Sequence, residues 1–183
     1  IWVNSDDYLL PGALATLAAH IEQNPHERVF MSNHVRVASD GSTIARIVPN
    51  YSPWKLRHWW WAALQLWQPG LVFHRSAFET AGPLDARLHY AMDFDFFLKL
   101  QDVQRFHYLD ADLVAFRVHD AQKGHANEVP FIEERIAATN AYWQNRSALR
   151  AVFYRYLLYF VEGSLVFVEA LRQYESGDAA TAR

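Results

Sequence analysis

The sequence predicts an α/β fold followed by C-terminal α-helices, and three observations indicate this. β-rich runs alternate along the chain with segments whose apolar residues recur at helical spacing. Clusters of Gly, Pro, Ser and Asp separate the segments, as turns do. The 183 residues, 51% of them hydrophobic, are enough to bury one substantial core. We therefore expect one α/β unit rather than separate all-α and all-β parts.

The chain opens with an apolar β-type run, residues 1–3, which predicts a strand that ends at Asp6 and Asp7. A helix is predicted next, with Pro11 suited to its first turn and one apolar face formed by Leu14, Leu17, Ala18 and Ile21. Ligands of an open α/β sheet bind at the carboxyl ends of strands, so the two acids lie where a metal or a phosphorylated ligand would bind. Adjacent Asp residues also serve turns and helix N-termini, and the pair alone does not decide.

The middle of the chain predicts a hairpin and two helices. Residues 28–32 and 34–37 are β-rich, and the turn sequence Ser39-Asp40-Gly41-Ser42 leads from them to a further β-rich run, residues 43–48. A helix is expected to start at Ser52-Pro53. Its common apolar face would consist of Leu56, Trp60, Ala63, Leu64 and Trp67. Residues 71–73 predict a short buried strand, and residues 76–81 a small helix stopped by Gly82-Pro83.

The later part of the chain places further acids at the start of a helix. Asp93-Phe94-Asp95 begins an apolar-periodic segment, so both acids are expected in a first helical turn, where the helix dipole favours negative charge. Residues 105–109 and 113–116 predict two strands, and a polar loop covers residues 120–127. From Glu128 to about Tyr174 the pattern is helical, with two helices meeting near Asn145-Arg146-Ser147.

The amino-acid composition excludes several kinds of binding and catalytic site. Lys plus Arg is 17 and Asp plus Glu is 20, a net charge of −3, so no broad basic field for nucleic acid is present. The absence of cysteine excludes a disulfide framework, a thiolate zinc site and a cysteine nucleophile, and it suits a reducing compartment. Any metal must use oxygen or imidazole ligands. The sequence shows no signal peptide and no uninterrupted transmembrane run.

Three motifs follow one another in an informative order. They are Asn4-Ser5-Asp6-Asp7, then Gln68-Pro69-Gly70 through Gly82-Pro83-Leu84-Asp85 to Asp93-Phe94-Asp95, then Arg117-Val118-His119 with Gln122-Lys123. Together they resemble the later half of a family 2 glycosyltransferase, a nucleotide-sugar-dependent enzyme of GT-A (Rossmann-like) fold, from Ile1 to about Lys123.

The resemblance implies an incomplete GT-A domain with a mixed sheet. Residues 1–127 would be its metal and acceptor half, and residues 128–183 a C-terminal helical extension. The family's earlier half, which holds the nucleotide base, would precede Ile1. We therefore expect the chain to be a fragment that transfers nothing by itself.

For the donor side, the resemblance implies that Asp7 binds a divalent Mn²⁺ or Mg²⁺ and that Asp6 approaches the ribose or the metal. His119 resembles the late histidine that joins the metal or diphosphate site, and Lys123 would meet a phosphate oxygen. Carboxylate oxygens suit these cations, which neutralise charge on a leaving diphosphate. For both His119 and Lys123, an ordinary surface role is the alternative.

For the acceptor side, the resemblance implies Asp93 as the general base, which takes the acceptor's hydroxyl proton while that oxygen attacks the anomeric carbon, giving inversion. Met92 departs from the family, which usually has an acid there, so Asp95 stays open as an alternative base. Gln68, Gly70 and Asp95 resemble residues lining the acceptor side, where a glycine allows close approach.

The expected function is metal-dependent transfer from a nucleotide-sugar to a saccharide or lipid-linked acceptor in cell-surface polysaccharide synthesis, at a cytoplasmic location. A second hypothesis is a carbohydrate-binding module that stacks sugars on Trp54, Trp59, Trp60, Trp61 and Trp67. A third is a metal phosphohydrolase built on Asp6, Asp7 and His119.

The last predicted helix allows three locations. Between residues 151 and 171 the only charges are Arg155, Glu162 and Glu169, which form one thin polar stripe on an apolar cylinder. This helix could pack on its own domain, contact another subunit, or lie peripherally at a membrane surface.

Overall fold

The computed structural model describes residues 1–60, 64–119 and 128–146. These residues form an α/β fold with one mixed sheet, which confirms the predicted α/β class and the mixed sheet, while the GT-A fold stays a prediction. The elements in chain order are β1 (Tyr8–Leu9), α1 (Ala13–Gln23), β2 (Val29–Val37), β3 (Thr43–Ile47), α2 (Pro53–Arg57), β4 (Leu71–Phe73), α3 (Arg75–Ala81), α4 (Met92–Val103), β5 (His107–Arg117) and α5 (Glu128–Gln144).

The sheet is organised around β2. On one side β2 pairs in parallel with β5, and on the other it pairs antiparallel with β3 and, further back, with β4. The short β1 lies outside β5 and is antiparallel to it. Val37 of β2 is in register with Arg117 of β5, so the two parallel strands end at the same edge. That edge is where an α/β sheet forms its ligand sites.

Alternation along β2 creates two cores, one on each face of the sheet. Val29 and Met31 belong to the larger core, together with the buried face of α4. Phe30 belongs to the smaller core, which α1 covers with Ala13 and Leu17. Because both faces are covered, the first six residues of β2 are all buried.

Helix α5 shares the larger core with α4. Ala138, Tyr142 and Trp143 of α5 are buried in that core. Asp102 of α4 accepts hydrogen bonds from Arg57 and from Tyr142, and it also pairs with Arg146. The described part of the predicted helical extension is therefore packed onto the α/β unit.

Several predicted local signals are confirmed. The β2–β3 hairpin forms, with Val37 opposite Thr43. Ser52 caps α2 by accepting a hydrogen bond from Lys55 N at 3.1 Å. Gly82 ends α3, and the first turn of α4 contains Asp93 and Asp95. Helix α5 ends at Gln144, next to the predicted break at residues 145–147. No helix in the described ranges is long and apolar enough to cross a bilayer, and the predicted helix at residues 151–171 lies outside those ranges.

The prediction of a strand at residues 1–3 is wrong. These residues are irregular, and the strand β1 starts after the two acids, where Tyr8 pairs with Ala115. The Trp2 ring packs edge-on against Phe96 at 6.3 Å, and the Trp2 carbonyl accepts a hydrogen bond from Gln68 at 2.7 Å. No described strand lies beside this segment, so its backbone is satisfied by a side chain instead of a ladder.

The predicted helix from Ser52 to Trp67 is also wrong in extent, because α2 ends at Arg57. Asn50 and Gln65 exchange two backbone hydrogen bonds, of 2.8 and 3.1 Å. This bridge returns the chain towards the start of the helix and removes Leu64 and Trp67 from any common helical face. Residues 61–63 lie outside the described ranges.

The prediction of two strands at residues 105–109 and 113–116 is wrong, because residues 107–117 form the single strand β5 and residues 105–106 precede it. Ser32 pairs with Leu109 while the next residue, Asn33, pairs with Asp112, so β5 bulges between them. The bulge is held by polar side chains: Asn33 Nδ2 donates to Asp110 at 2.9 Å, and Arg46 contacts Asp110 at 3.0 Å. The predicted break between the two strands is therefore a bulge within one strand.

Candidate functional site

The acids near the chain start meet the carboxyl end of β5. Asp7 lies in a turn closed by its own N–H, which donates to Asn4 O at 3.2 Å. Its Oδ1 accepts a hydrogen bond from Arg117 N at 3.1 Å, and its Oδ2 accepts one from Asn4 Nδ2 at 3.3 Å. Asp7 is only 9% exposed. Its carboxylate therefore ties the acidic turn to the end of the parallel strand pair.

Burial raises the pKa of Asp7, and the neighbouring negative charge of Asp6 raises it further. The hydrogen bond from Arg117 N lowers the pKa and offsets part of this effect. The hydrogen bonds to the Asp7 carboxylate thus do not fully offset the destabilisation of its negative charge by burial and by Asp6. A cation close to this turn would stabilise the charged form.

Asp6 and His119 form the more exposed part of the site. His119 Nε2 lies 3.1 Å from Asp6 Oδ2, and the two side chains are 32% and 37% exposed. The guanidinium of Arg117 lies 5.8 Å from the Tyr8 ring centre, next to them. The structure therefore brings the predicted acids and the predicted late histidine to one edge of the sheet, from opposite ends of the described α/β unit.

Asp6 and His119 suit a cation site in which the protein supplies only a few of the ligands. Carboxylate and imidazole are suitable for Mn²⁺, which like Mg²⁺ accepts remaining ligands from water and phosphate. In residues 1–60, 64–119 and 128–146, no group of three or more acidic or histidine side chains is arranged to hold a metal. Both oxygens of Asp7 accept hydrogen bonds within the protein. Asp6 and His119 are the more exposed carboxylate and imidazole groups at this edge, and they contact each other. The metal roles predicted for Asp7 and His119 stay predictions.

Gln68 supports the acidic turn from inside. It is 5% exposed, its Nε2 donates to Trp2 O at 2.7 Å, and its Oε1 accepts from Asn4 Nδ2 at 2.7 Å. Both ends of the amide are thus bound to the segment that leads into Asp6 and Asp7. Its predicted contact with an acceptor stays a prediction, and the observed contacts make it a positioning group.

Gly70 is required by a close approach, but the neighbour is β2. Its φ is +88°, and a Cβ added to it would lie 2.8 Å from Ser32 Oγ and 3.0 Å from Ser32 O. Ser32 N donates to Gly70 O at 2.9 Å. An acceptor contact at Gly70 stays a prediction beside this packing role.

The two acids of α4 have different environments. Asp95 is 8% exposed, and its Oδ2 lies 2.6 Å from Lys99 Nζ in an i,i+4 ion pair. Asp93 is half-buried, and its Oδ1 accepts a hydrogen bond from Phe94 N at 2.7 Å. Burial raises the pKa of Asp93, while the charge of Arg135 lowers it in part. The negative charge of Asp95 is therefore paired with Lys99, whereas burial makes the Asp93 carboxylate more basic.

Two residues of α5 that no sequence motif singled out, Glu134 and Arg135, also belong to this region. Glu134 accepts hydrogen bonds from three successive backbone N–H groups, at 2.9, 2.6 and 2.9 Å, those of His89, Tyr90 and Ala91. Desolvation, the largest single influence, raises the pKa of Glu134, but the three donors together outweigh it and the pKa is lowered. In the sequence, Glu133-Glu134-Arg135 is typical of a solvated helix face.

The tryptophans do not all share one surface. Trp54 is 55% exposed and stacks on His58, with ring centres 4.7 Å apart. Trp67 is 47% exposed and lies against His34. Trp59 faces the core, where its Nε1 donates to Thr139 at 3.0 Å. Trp61 and the predicted phosphate contact Lys123 lie outside the described residues.

Comparison of the sequence with protein-family models gives no match, and comparison with curated proteins gives no significant similarity. The resemblance to family 2 glycosyltransferases stays a prediction that depends on the motifs themselves.

Proposed function

We propose that the chain contains the metal and acceptor half of a GT-A glycosyltransferase, which transfers a sugar from a nucleotide-sugar to an acceptor hydroxyl with inversion. The observation that carries this proposal is the meeting of Asp6, Asp7 and His119 at the carboxyl ends of the parallel strands β2 and β5. A sheet edge that carries carboxylate and imidazole groups suits the binding of a divalent cation together with a diphosphate.

On the donor side, Asp6 and His119 would hold Mn²⁺ or Mg²⁺. The cation, when bound, neutralises charge that develops on the leaving diphosphate. Asp7 holds the acidic turn at the end of β5 by accepting the hydrogen bond from Arg117 N. Gln68 holds the segment before this turn by donating to Trp2 O. Lys123 is the further phosphate contact that the resemblance implies.

On the acceptor side, Asp93 would accept the proton of the attacking hydroxyl. A carboxyl whose pKa is raised by burial is a better base near neutral pH than an ordinary aspartate. The ion pair with Lys99 makes Asp95 the weaker candidate. The acceptor would be a saccharide or a lipid-linked saccharide, and the setting the cytoplasmic stage of cell-surface polysaccharide synthesis.

The metal assignment is tested by titrating the protein with Mn²⁺ alone and following free Mn²⁺ by electron paramagnetic resonance. Asp6→Asn and His119→Gln should each weaken binding by about tenfold or more, because each removes a ligand. Glu27→Gln is the matched control, since Glu27 and His107 form a similar acid–histidine pair, 3.7 Å apart, at the other end of β5. Unchanged Mn²⁺ affinity in Asp6→Asn would exclude this site.

The base assignment is tested by transfer assays on the natural full-length protein. Asp93→Asn should lower kcat by about 10²- to 10⁴-fold, because removal of a general base has an effect of that size. Asp95→Asn should lower kcat less, since its carboxylate serves Lys99. The opposite ranking would assign the base to Asp95.

A carbohydrate-binding module remains the second candidate, favoured by the exposed stack of Trp54 on His58. Sugar rings bind to exposed aromatic faces of this kind. In that case binding of oligosaccharides would persist in EDTA and in Asp6→Asn, but would be lost in Trp54→Ala.

A further inference from the structure

The start of α4 lacks a cap of its own. The residue at the cap position is Ala91, whose side chain cannot accept a hydrogen bond. Within the first turn, Asp93 Oδ1 accepts a hydrogen bond from Phe94 N, but this bond does not hold the residues before the helix. Helix N-termini leave N–H groups without intrahelical partners. Here the carboxylate of Glu134, from α5, accepts the N–H groups of His89, Tyr90 and Ala91. Helix α5 therefore fixes the backbone that enters the turn containing Asp93.

The next residue of α5, Arg135, brings a positive charge close to this turn. Its guanidinium carbon lies over three aromatic rings, 4.5 Å from that of Phe131, 5.0 Å from that of Phe94 and 5.4 Å from that of Trp59. Cation–π contacts of this kind restrict where a guanidinium can lie. The positive charge of Arg135 acts on Asp93, which is two residues from Ala91.

We propose that Glu134 and Arg135 are positioning residues for Asp93. Glu134 holds the backbone before α4 through three hydrogen bonds. The charge of Arg135, which packs on the ring of Phe94 next to Asp93, keeps the carboxylate of Asp93 ionised for proton transfer. Neither residue is a catalytic residue, because each acts on Asp93 and not on a substrate. The inference rests on the proposed function, in which Asp93 is the general base.

A purely structural role is the competing explanation, since the same contacts also join α5 to α4. A residue at the opposite end of the α4–α5 interface, Asp102, provides a matched control for a purely structural effect. There Asp102 joins α2, α4 and α5 through Arg57, Tyr142 and Arg146, at the far end of α4 from Asp93. Loss of Asp102 weakens the same helix interface and leaves the first turn of α4 in place.

The first experiment measures kcat and KM for Glu134→Gln in the natural full-length protein, beside Asp102→Asn and Glu133→Gln. Glu133 is the exposed neighbour on the same helix. Glu134→Gln should lower kcat by about tenfold or more with little change in the donor KM, because a small misplacement of a reacting group has a large effect. Asp102→Asn should be destabilised in thermal unfolding but keep its kcat within about twofold. Equal losses of kcat in Glu134→Gln and Asp102→Asn would overturn the proposal.

The second experiment compares Arg135→Lys with Arg135→Met. Removal of the positive charge raises the pKa of Asp93, so the acidic limb of the kcat–pH profile should move to higher pH in Arg135→Met. Arg135→Lys should restore most of the wild-type profile, since it retains the charge. An unchanged profile in Arg135→Met would show that Arg135 does not act on the base.

Two readouts without turnover separate this inference from the proposed function. Amide hydrogen exchange of Tyr90 and Ala91 should accelerate in Glu134→Gln but not in Glu133→Gln. The ¹³C carboxyl shift of Asp93 should titrate at higher pH in Arg135→Met than in the wild type. If both hold while Asp93→Asn retains full transfer, the proposed function is wrong and the positioning contacts are real. If neither changes, the positioning inference is wrong whatever the reaction.

Discussion

Replacing Gly70 by alanine distinguishes packing against β2 from packing against a ligand. Gly70 has φ +88°, and its added Cβ would lie 3.0 Å from the backbone oxygen of Ser32 and 2.8 Å from Ser32 Oγ. The serine side chain can rotate, but the carbonyl belongs to the backbone of the central strand β2, which is paired on both sides. Gly70→Ala therefore combines backbone strain with a clash that β2 must absorb.

The expected magnitude follows from these two contributions. A non-glycine residue in the left-handed region costs roughly 1–2 kcal/mol. Overpacking by one methyl group in a well-packed site costs roughly 1–3 kcal/mol. Gly70→Ala should thus lower the free energy of unfolding by about 2–5 kcal/mol in total. Gly41→Ala is the matched control, because Gly41 has φ +85° and nothing within 4 Å of its Cβ position.

The assay is equilibrium urea unfolding of both variants, analysed by linear extrapolation. Gly41→Ala should lose only the strain contribution, so the two variants should differ by about 1–3 kcal/mol. Equal losses would refute the reasoning from the Ser32 contact. A Gly70→Ala protein that keeps its stability but no longer binds an acceptor would show instead that the glycine serves a ligand.

Two further predictions concern buried polar groups of β2. Burial lowers the pKa of His34 from 6.5 to about 4, so the neutral imidazole stabilises the fold above pH 6.5 and this contribution is lost as the pH falls towards 4. The free energy of unfolding should fall by about 3 kcal/mol over this pH range. In urea unfolding, His34→Phe should depend less on pH than the wild type. Parallel stability–pH curves for the two proteins would contradict the pKa shift. Asn33, fully buried, accepts from Tyr108 Oη at 2.8 Å and donates to Asp110 at 2.9 Å, so Asn33→Ala should destabilise by about 1–3 kcal/mol. Tyr108→Phe should cost less, because its partner Asn33 keeps the bond to Asp110, and the opposite order would contradict the network as described.

The parts of the fold that were predicted correctly are those governed by local signals. Ser52 and Gly82 mark helix ends through local cap chemistry, and the β2–β3 hairpin follows from the turn sequence between its strands. The errors occur where distant residues decide. The bridge between Asn50 and Gln65 shortens α2, and the pairing of Tyr8 with Ala115 places the first strand after the acids. Propensity within a window of residues contains no information on such pairings.

The candidate site divides in the same way. Asp6 and His119 are 113 residues apart in sequence, and only the resemblance to a family suggested that they belong together. Asp93 and Asp95 are equivalent in a helical pattern, since both lie in the first turn of α4. Lys99 and Arg135 make them different, and Arg135 comes from another helix. Glu134 had no signal at all, because its partners are backbone N–H groups.

The position of β2 in the sheet also has a consequence for the order of folding. Its hairpin partner β3 follows after a short turn, so the antiparallel pair can form as soon as both strands are available. Its parallel partner is remote: Asn33 and Asp110, joined across the bulge, are 77 residues apart. Closing so long a loop is entropically costly and slow. During synthesis one edge of β2 stays open until β5 leaves the ribosome, and its buried residues, Val29 to His34, are exposed to wrong partners for that interval. The central strand, buried on both faces in the finished sheet, is therefore where a chaperone would be expected to act while the protein is being made.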